Sequence, residues 1–436
     1  MSQPIRAVRQ RDYPLALAEA WRLLADTDHL NRSIGLPSVD FSPLDGPKGE
    51  FVRQAHARHW GIVPLRWKEY PFCWVRERRY SVRREFDWGP IAVLEGAVQL
   101  EPRDPGVRVT VSAEFIPANL AGKFMWRVGA GVVEGTLAFC DCYLSRKQQG
   151  YADALPPAGK PVVDRRRLAE RVAQLHASPI DKHLLRLLEG RVVEAADDQV
   201  LRLRAFSVAD AWQADRAETL RLFLYAAKAG LFDLAWQLMC PNCRVPKAGS
   251  PSLAALPARF HCDVCGIVYD TTLDQRVELR FSVSPQVRQA SDAIYCIGGP
   301  LRAPHLVAQQ YLRQGEAAML ACPPLNEPIR LRAVGSNASL LLTPAPAART
   351  SRDVSLIYAA GKWSGPLSLM NADQDELRVP AGSSLALRNQ TAGALLVVLE
   401  DMRWTDEALT ACQALGLPEF QALFPAERPN IAAQSA

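Results

Sequence analysis

Apolar and polar positions along the first 150 residues switch between two periods. Positions 5–9 read as a first strand, and positions 16–24 as a helix with Leu17, Trp21 and Leu24 on one face. In 107-VRVTVSAEF-115, Val107, Val109, Val111, Ala113 and Phe115 alternate with Arg108, Thr110, Ser112 and Glu114, the pattern of a strand with one dry face. The run 74-WVRERRYSVRREF-86 is Arg-rich at its outer positions and ends in the turn 87-DWGP-90. From about 120 to 147 the period becomes helical. Arg127, Glu134 and Asp141, each seven apart, fall on one stripe and predict a long helix with one wet edge. Its glycines at 122, 129, 131 and 135 each cost up to ~1 kcal/mol relative to alanine. They call for close backbone approach or room for a guest.

A linker, 154-ALPPAGKP-161, separates this stretch from a helical middle. Leu168, Val172 and Leu175 fit one helix; Ser178-Pro179 opens a second, apolar at Ile180, Leu184, Leu187 and Leu188 and ending at Gly190. The segments 191–195 and 199–206 predict a hairpin about Ala196-Asp197-Asp198, and Ser207 with Asp210 a capped helix start. A further apolar face at Leu220, Phe223, Leu224 and Ala227 ends before Gly230. Helix, helix, hairpin and helix is winged-helix-like. Beyond residue 273 short β patterns at 277–283, 328–334, 353–359, 376–380, 383–389 and 394–400 predict a β-sandwich. A capped helix from Thr405 and a last one over 418–424 precede what reads as a frayed tail.

The expected architecture is therefore α+β and multidomain: a first domain over 1–153, a helical, winged-helix-like segment over 162–236, a metal ribbon over 237–272, a β-sandwich over 273–403, helices over 404–424 and a tail over 425–436. A chain of 436 residues accommodates about two to four domains. Its 48% hydrophobic and 22% charged residues are those of a globular protein, and a net charge of +5 is too small to demand a nucleic-acid partner. The start, MSQPIRAVRQRDYP, has no apolar core of a secretory signal, so a cytoplasmic protein is expected. The apolar stretch 120–144 carries Lys123, Arg127, Glu134 and Asp141, which argues against a membrane span.

The sharpest chemical signal is Cys240, Cys243, Cys262 and Cys265, spaced C-x2-C-x18-C-x2-C, the spacing of a zinc ribbon. Four thiolates fill a tetrahedral Zn²⁺, so the metal is expected to be structural, without an open position for substrate. Gly266 suits the turn of the second knuckle, whereas the first has Arg244 where glycine often sits. The other six cysteines, at 73, 140, 142, 296, 322 and 412, read as small hydrophobes. No phosphate-loop, HExxH or GxSxG motif occurs. Cys140 and Cys142 lie about 200° apart on a helix and cannot share one ion. His29, His56 and His59 offer no paired geometry, and the prolines of 298-GGPLRAPH-305 spoil it as a phosphate cradle. No enzyme activity is expected.

The element order of the first third resembles the START-like superfamily of polyketide cyclases and lipid-transfer proteins. That resemblance implies a curved sheet gripping a long helix around an apolar cavity, which Trp21, Trp60, Trp67, Trp74, Trp88 and Trp126 would line. Together with 228-KAGLFDLAWQLMCPNC-243, 295-YCIGGPLRAPHLVAQQYLRQGE-316 and 419-EFQALF-424, the whole resembles the N-terminal regulatory region of bacterial adenylate/guanylate cyclase-like proteins. The cyclase domain, about 150 to 200 further residues with two metal-binding aspartates, does not follow. The resemblance implies a non-catalytic ligand-sensing module, stapled by zinc, with a small apolar molecule and a cyclase domain or other protein in trans as partners. Two alternatives stand beside it: a DNA-binding transcriptional regulator using wing, ribbon and Arg165 to Arg167, and a polyketide cyclase-like enzyme.

Overall fold

A computed structural model of the protein describes residues 4–42, 51–59, 63–124, 126–151, 153–241, 244–262, 267–271, 276–322, 327–336, 338–345, 353–366, 368–371, 375–380, 382–403 and 406–428. The chain folds as two compact units of mixed α and β structure. One joins Met1–Cys140 to Ile294–Arg403, and the other joins Asp141–Ala293 to Trp404–Ala436.

The first unit begins β1 (Ile5–Tyr13), α1 (Leu17–Ala25), α2 (Thr27–Ser33), β2 (Val39–Phe41), β3 (Arg53–His59), β4 (Val63–Glu69), β5 (Cys73–Val75), β6 (Arg79–Phe86), β7 (Ile91–Arg103) and β8 (Gly106–Pro117). A short 3-10 turn, Leu120–Phe124, leads into α3 (Trp126–Gln148). Strand pairing runs β1-β8-β7-β6, and β6 then divides its partners. Its first residues pair with β5, in the register Trp74↔Tyr80. Its last residues pair with β4, in the registers Glu69↔Arg84 and Trp67↔Phe86. The β4 branch continues to β3 and β2. The β5 branch continues through Leu306–Leu312, Leu395–Asp401, Ile329–Ala333, Ser339–Ala345, Glu376–Pro380 and Met370–Asn371, a 14-stranded sheet among the described residues.

Strand alternation decides which side the helices cover. Val107, Val109, Val111, Ala113 and Phe115 are buried, as their spacing predicts. Tyr13 donates its hydroxyl to the Leu137 carbonyl of α3 at 3.1 Å, and Tyr80 donates to the Leu24 carbonyl of α1 at 2.9 Å. A Cβ at Gly129 would stand 2.8 Å from the Phe115 ring, so this glycine lets α3 approach the sheet. The order strand, helix, run of strands and long helix follows the expectation from the sequence, to which the structure adds the second helix α2. The later strands bury a separate core. Leu331, Leu342, Val397 and Leu399 meet Leu320, Leu356, Leu385 and Leu387 of a four-stranded sheet built from Ala317–Ala321, Ser384–Asn389, Val354–Ala359 and Lys362–Ser364.

The second unit holds α4 (Arg165–His176), α5 (Lys182–Glu194), α6 (Ala205–Trp212), α7 (Arg216–Lys228), α8 (Ala411–Leu415) and α9 (Pro418–Leu423). Their apolar faces share one core with an antiparallel sheet of Pro246–Ser250, Phe232–Met239 and Val277–Val283. At its centre the Phe223 ring lies 5.3 Å from Phe232 and 5.1 Å from Phe281. Aspartates 164, 181 and 215 cap α4, α5 and α7 through free backbone N–H groups.

Several expectations are corrected here. Residues 191–194 finish α5, with Ala195 as its C-cap, and do not start a hairpin, because Leu184, Leu188 and Val192 fall on one buried helical stripe and Gly190 stays inside the helix. The described residues over 191–206 therefore contain no wing, which removes the winged-helix reading. Asp181 caps α5 where Ser178 was expected, and Ser207 lies inside α6. The strand at 277–283 pairs with Phe232–Met239 in this unit, not with the strands of a sandwich. Thr405 lies outside the described residues; the capping box that precedes the last helices is Thr410 with Gln413. The expected tail is anchored at its start. Glu427 accepts from the Trp236 indole at 2.8 Å and from the Leu253 N–H at 2.9 Å.

Candidate functional site

Along β6 the helix-facing side of the first sheet is apolar except at one place. Tyr80, Val82, Arg84 and Phe86 alternate inward along β6, so an arginine occupies a position that the pattern reserves for an apolar residue. Its Nε donates to the Glu69 carboxylate at 2.8 Å, directly across the β4–β6 register. Glu69 is buried and accepts also from the Trp67 indole at 3.3 Å. The Arg84 guanidinium lies 5.9 Å from the Trp67 ring centre, and Trp67 leans on Phe86 at 5.8 Å. Burial works against the Arg84 charge, but the neighbouring Glu69 carboxylate, which pairs with it and accepts its hydrogen bond, more than offsets it, and the pKa of Arg84 is raised.

Around this pair the wall is apolar. Trp21 of α1 meets the Tyr80 ring edge-on at 6.2 Å, and Phe72 lies 6.2 Å from the same ring. Burial pushes the Tyr80 phenol far above its usual range, so it stays neutral. Trp74, across from Tyr80, is only 3% exposed, and its indole N–H has no acceptor among the described residues. Such a buried donor costs about 1–3 kcal/mol.

The segment 295–302 closes over α2. Asp28 accepts from the N–H groups of Tyr295 at 2.7 Å and Cys296 at 2.8 Å, and pairs with Arg302 at 3.2 Å. Cys296 is buried, and burial followed by the Glu69 charge pushes its thiol pKa up. Burial pushes Cys322 up to about 11. Thiolates, not thiols, are alkylated. Native protein treated with iodoacetamide near pH 8 is therefore expected to label exposed Cys142 and Cys412, while Cys296 and Cys322 label only after denaturation. Peptide mass spectrometry reads the order of labelling.

Of the six tryptophans singled out by sequence, the structure brings Trp21, Trp67 and Trp74 to this face. Trp88 departs from the expectation. It sits in the turn 87–90 and is 52% exposed, because the strand alternation ends at Phe86. Trp60 and the side chain of Trp126 lie outside the described residues. Glu69 and Arg84 were missed by sequence reasoning. The signal that could have found them is the arginine that interrupts Tyr80, Val82 and Phe86.

At the cysteine motif, Cys240 follows the strand Phe232–Met239 and is buried, and Cys262 ends the strand Arg259–Cys262 and is also buried. Cys243 and Cys265 lie outside the described residues. The first turn is tight: Cys240 N–H donates to the Val245 carbonyl at 3.1 Å, and Arg244 N–H donates back to the Cys240 carbonyl at 2.8 Å. Arg244 takes φ +50°, the left-handed conformation for which a knuckle ordinarily uses glycine.

Residues 168–297 match a family of unknown function, DUF5939. No curated protein matches the chain. Solved structures similar to part of it include the Zhui aromatase/cyclase from Streptomyces sp. R1128, at 10% identity over 33% of this chain and 96% of that one, with a TM-score of 0.25. They also include Mll3558 from Rhizobium loti, at 19% identity over 32% and 98%, TM-score 0.24. A third is Ara h 8.0201, at 13% identity over 31% and 97%, TM-score 0.24. These low scores carry no functional weight. Among the described residues no helix is long and apolar enough to cross a membrane.

Proposed function

We propose that the first unit binds a small, largely apolar molecule bearing one hydrogen-bond acceptor, on the helix-facing side of its sheet. The observation that carries this reading is the Trp74 indole N–H, a buried donor without an acceptor among the described residues, on a face lined by Trp21 and Tyr80. A guest carbonyl or hydroxyl would satisfy it, and the Arg84–Glu69 pair supplies a second polar point. Support for a non-catalytic role comes from the commitments of the polar groups: the Tyr80 hydroxyl is bonded to Leu24, and Glu69 to Arg84 and Trp67. Native and denaturing mass spectra of protein purified from its own host test the reading. A bound organic mass supports it, and a guest-free protein that binds nothing from a host lipid extract ends it. Trp74→Phe is expected to leave stability unchanged or raise it by up to ~1 kcal/mol while weakening the guest about fivefold to tenfold. Thermal unfolding and the fraction of guest retained read the two effects.

Cys240, Cys243, Cys262 and Cys265 would hold a structural Zn²⁺ in the second unit. Its support is the spacing together with the strained turn at Arg244, which shapes the backbone beside Cys240. Bound zinc would cross-link two strands distant in sequence. One zinc per chain by elemental analysis, with unfolding of this unit on chelation, is the expected result; a metal-free, fully stable protein would remove the staple. With both features in place the chain reads as a ligand-sensing regulatory module of the kind found before nucleotide cyclase domains. Guest binding is then expected to change hydrogen exchange over 400–424, and identical exchange with and without guest would end the regulatory reading.

A further inference from the structure

We propose that residues 294–302 form a strap over the helix-facing side of the first sheet, latched to α2 by Asp28, and that a guest enters when the strap opens. Residues 290–299 form neither helix nor strand, so no strand ladder holds them. Side chains of α2 hold them instead. Tyr295 and Cys296 both donate their N–H groups to one oxygen, Asp28 Oδ1, at 2.7 and 2.8 Å. The Asn31 amide donates to the Tyr295 carbonyl at 3.2 Å, and the Arg32 guanidinium lies 4.5 Å from the centre of the Tyr295 ring. Arg302 completes the latch, pairing with Asp28 at 3.2 Å and donating to the Cys296 carbonyl at 3.3 Å. At the start of the strap, Val39 of β2 donates its N–H to the Ile294 carbonyl at 2.7 Å.

Two glycines set how closely the strap lies on the face. A Cβ at Gly298 would stand 2.8 Å from the Phe72 ring, and one at Gly299 would stand 1.9 Å from the Thr27 hydroxyl and 3.1 Å from its Cβ. Without side chains there, the backbone rests directly on both. Phe72 belongs to the aromatic wall beside Tyr80, and Cys296, only 1% exposed, lies within electrostatic reach of Glu69 and Arg84. The strap therefore meets both the apolar and the polar parts of the face. Because a single carboxylate receives two of its N–H groups and its arginine, losing that carboxylate frees the strap locally and leaves the sheet folded. As a gate the strap rests on the guest reading given above; as a segment that opens it does not.

The full chain is to be treated with iodoacetamide near pH 8, and the peptides carrying Cys296 and Cys322 followed in time by mass spectrometry. Cys322 is buried in the separate core of the later strands, so it reports general loosening. Hydrogen bonds to a charged acceptor set the expected effect: Asp28→Ala should label Cys296 about tenfold to a hundredfold faster than the parent, with Cys322 unchanged. Asp28→Asn keeps an acceptor oxygen and should fall between the two. Gly299→Ala props the strap away from Thr27 with Asp28 in place, and should also speed Cys296. Labelling of Cys296 at the parent's rate in both alanine variants, or in step with Cys322, overturns the strap. Purified from its host, Asp28→Ala should retain less guest than the parent by native mass spectrometry. Fast Cys296 labelling with the parent's guest content overturns the gate. A parent that carries and binds no guest ends the guest reading and the gate with it, while the labelling still decides the strap.

Discussion

Replacing Arg288 by methionine is expected to destabilise the second unit by about 3–5 kcal/mol. The Arg288 side chain is completely buried. Its guanidinium donates to the Val192 carbonyl at 2.8 Å, to the Ala195 carbonyl at 2.7 Å and to Asp197 at 2.8 Å. The two carbonyls belong to the end of α5, where helical oxygens run out of intrahelical donors and the macrodipole is negative. Methionine fills the volume but strands two carbonyls and takes the cation from Asp197, which keeps the Ser291 N–H. Arg288→Lys keeps the charge and loses the fork, so a smaller loss of about 1–2 kcal/mol is expected. Urea unfolding followed by circular dichroism measures both. A methionine variant within 1 kcal/mol of the parent, on the order of one ordinary hydrogen bond, would show that the guanidinium is not what holds this helix end.

The same helix shows where sequence reading runs out. Its core stripe was visible as Leu184 and Leu188 at helical spacing, but Val192 and Val193 are β-branched and the glycine before them looked like a stop. What extends α5 past Gly190 lies far along the chain. Arg288 holds its last carbonyls, and Arg191 clamps the Gln199 carbonyl at 2.8 Å and Asp153 at 2.6 Å. Local periodicity carries no trace of such partners. The strand at 277–283 was legible as a strand, yet its pairing with Phe232–Met239 is a long-range choice that alternation alone does not encode. By contrast, the dry face of β8 could be read directly, because period-two burial is local. The cysteine spacing was equally plain. The candidate site was half legible: three of its aromatic residues were named, but Arg84 was counted among the outward arginines of its strand, although its register points it inward.

That register makes Arg84 and Glu69 the residues whose substitution separates architecture from ligand binding. Glu69→Leu leaves the Arg84 guanidinium and the Trp67 indole without their acceptor, and Arg84→Leu leaves a buried carboxylate without its cation. Each single change is expected to cost the first unit about 3–5 kcal/mol. The double variant removes both charges at once from a face already lined by Trp67 and Phe86. Apolar replacement of a whole buried pair is often neutral or stabilising, so stability within about 1–2 kcal/mol of the parent is expected. The coupling between the two positions, read from the four urea midpoints, should be large and favourable. A well-folded double variant then poses the functional question. If the pair is retained for the polar end of a guest, native mass spectra of this variant should show the guest lost despite intact folding. A double variant that folds and still carries the parent's guest would make the pair architectural, and binding would then rest on Trp74 and the aromatic wall alone.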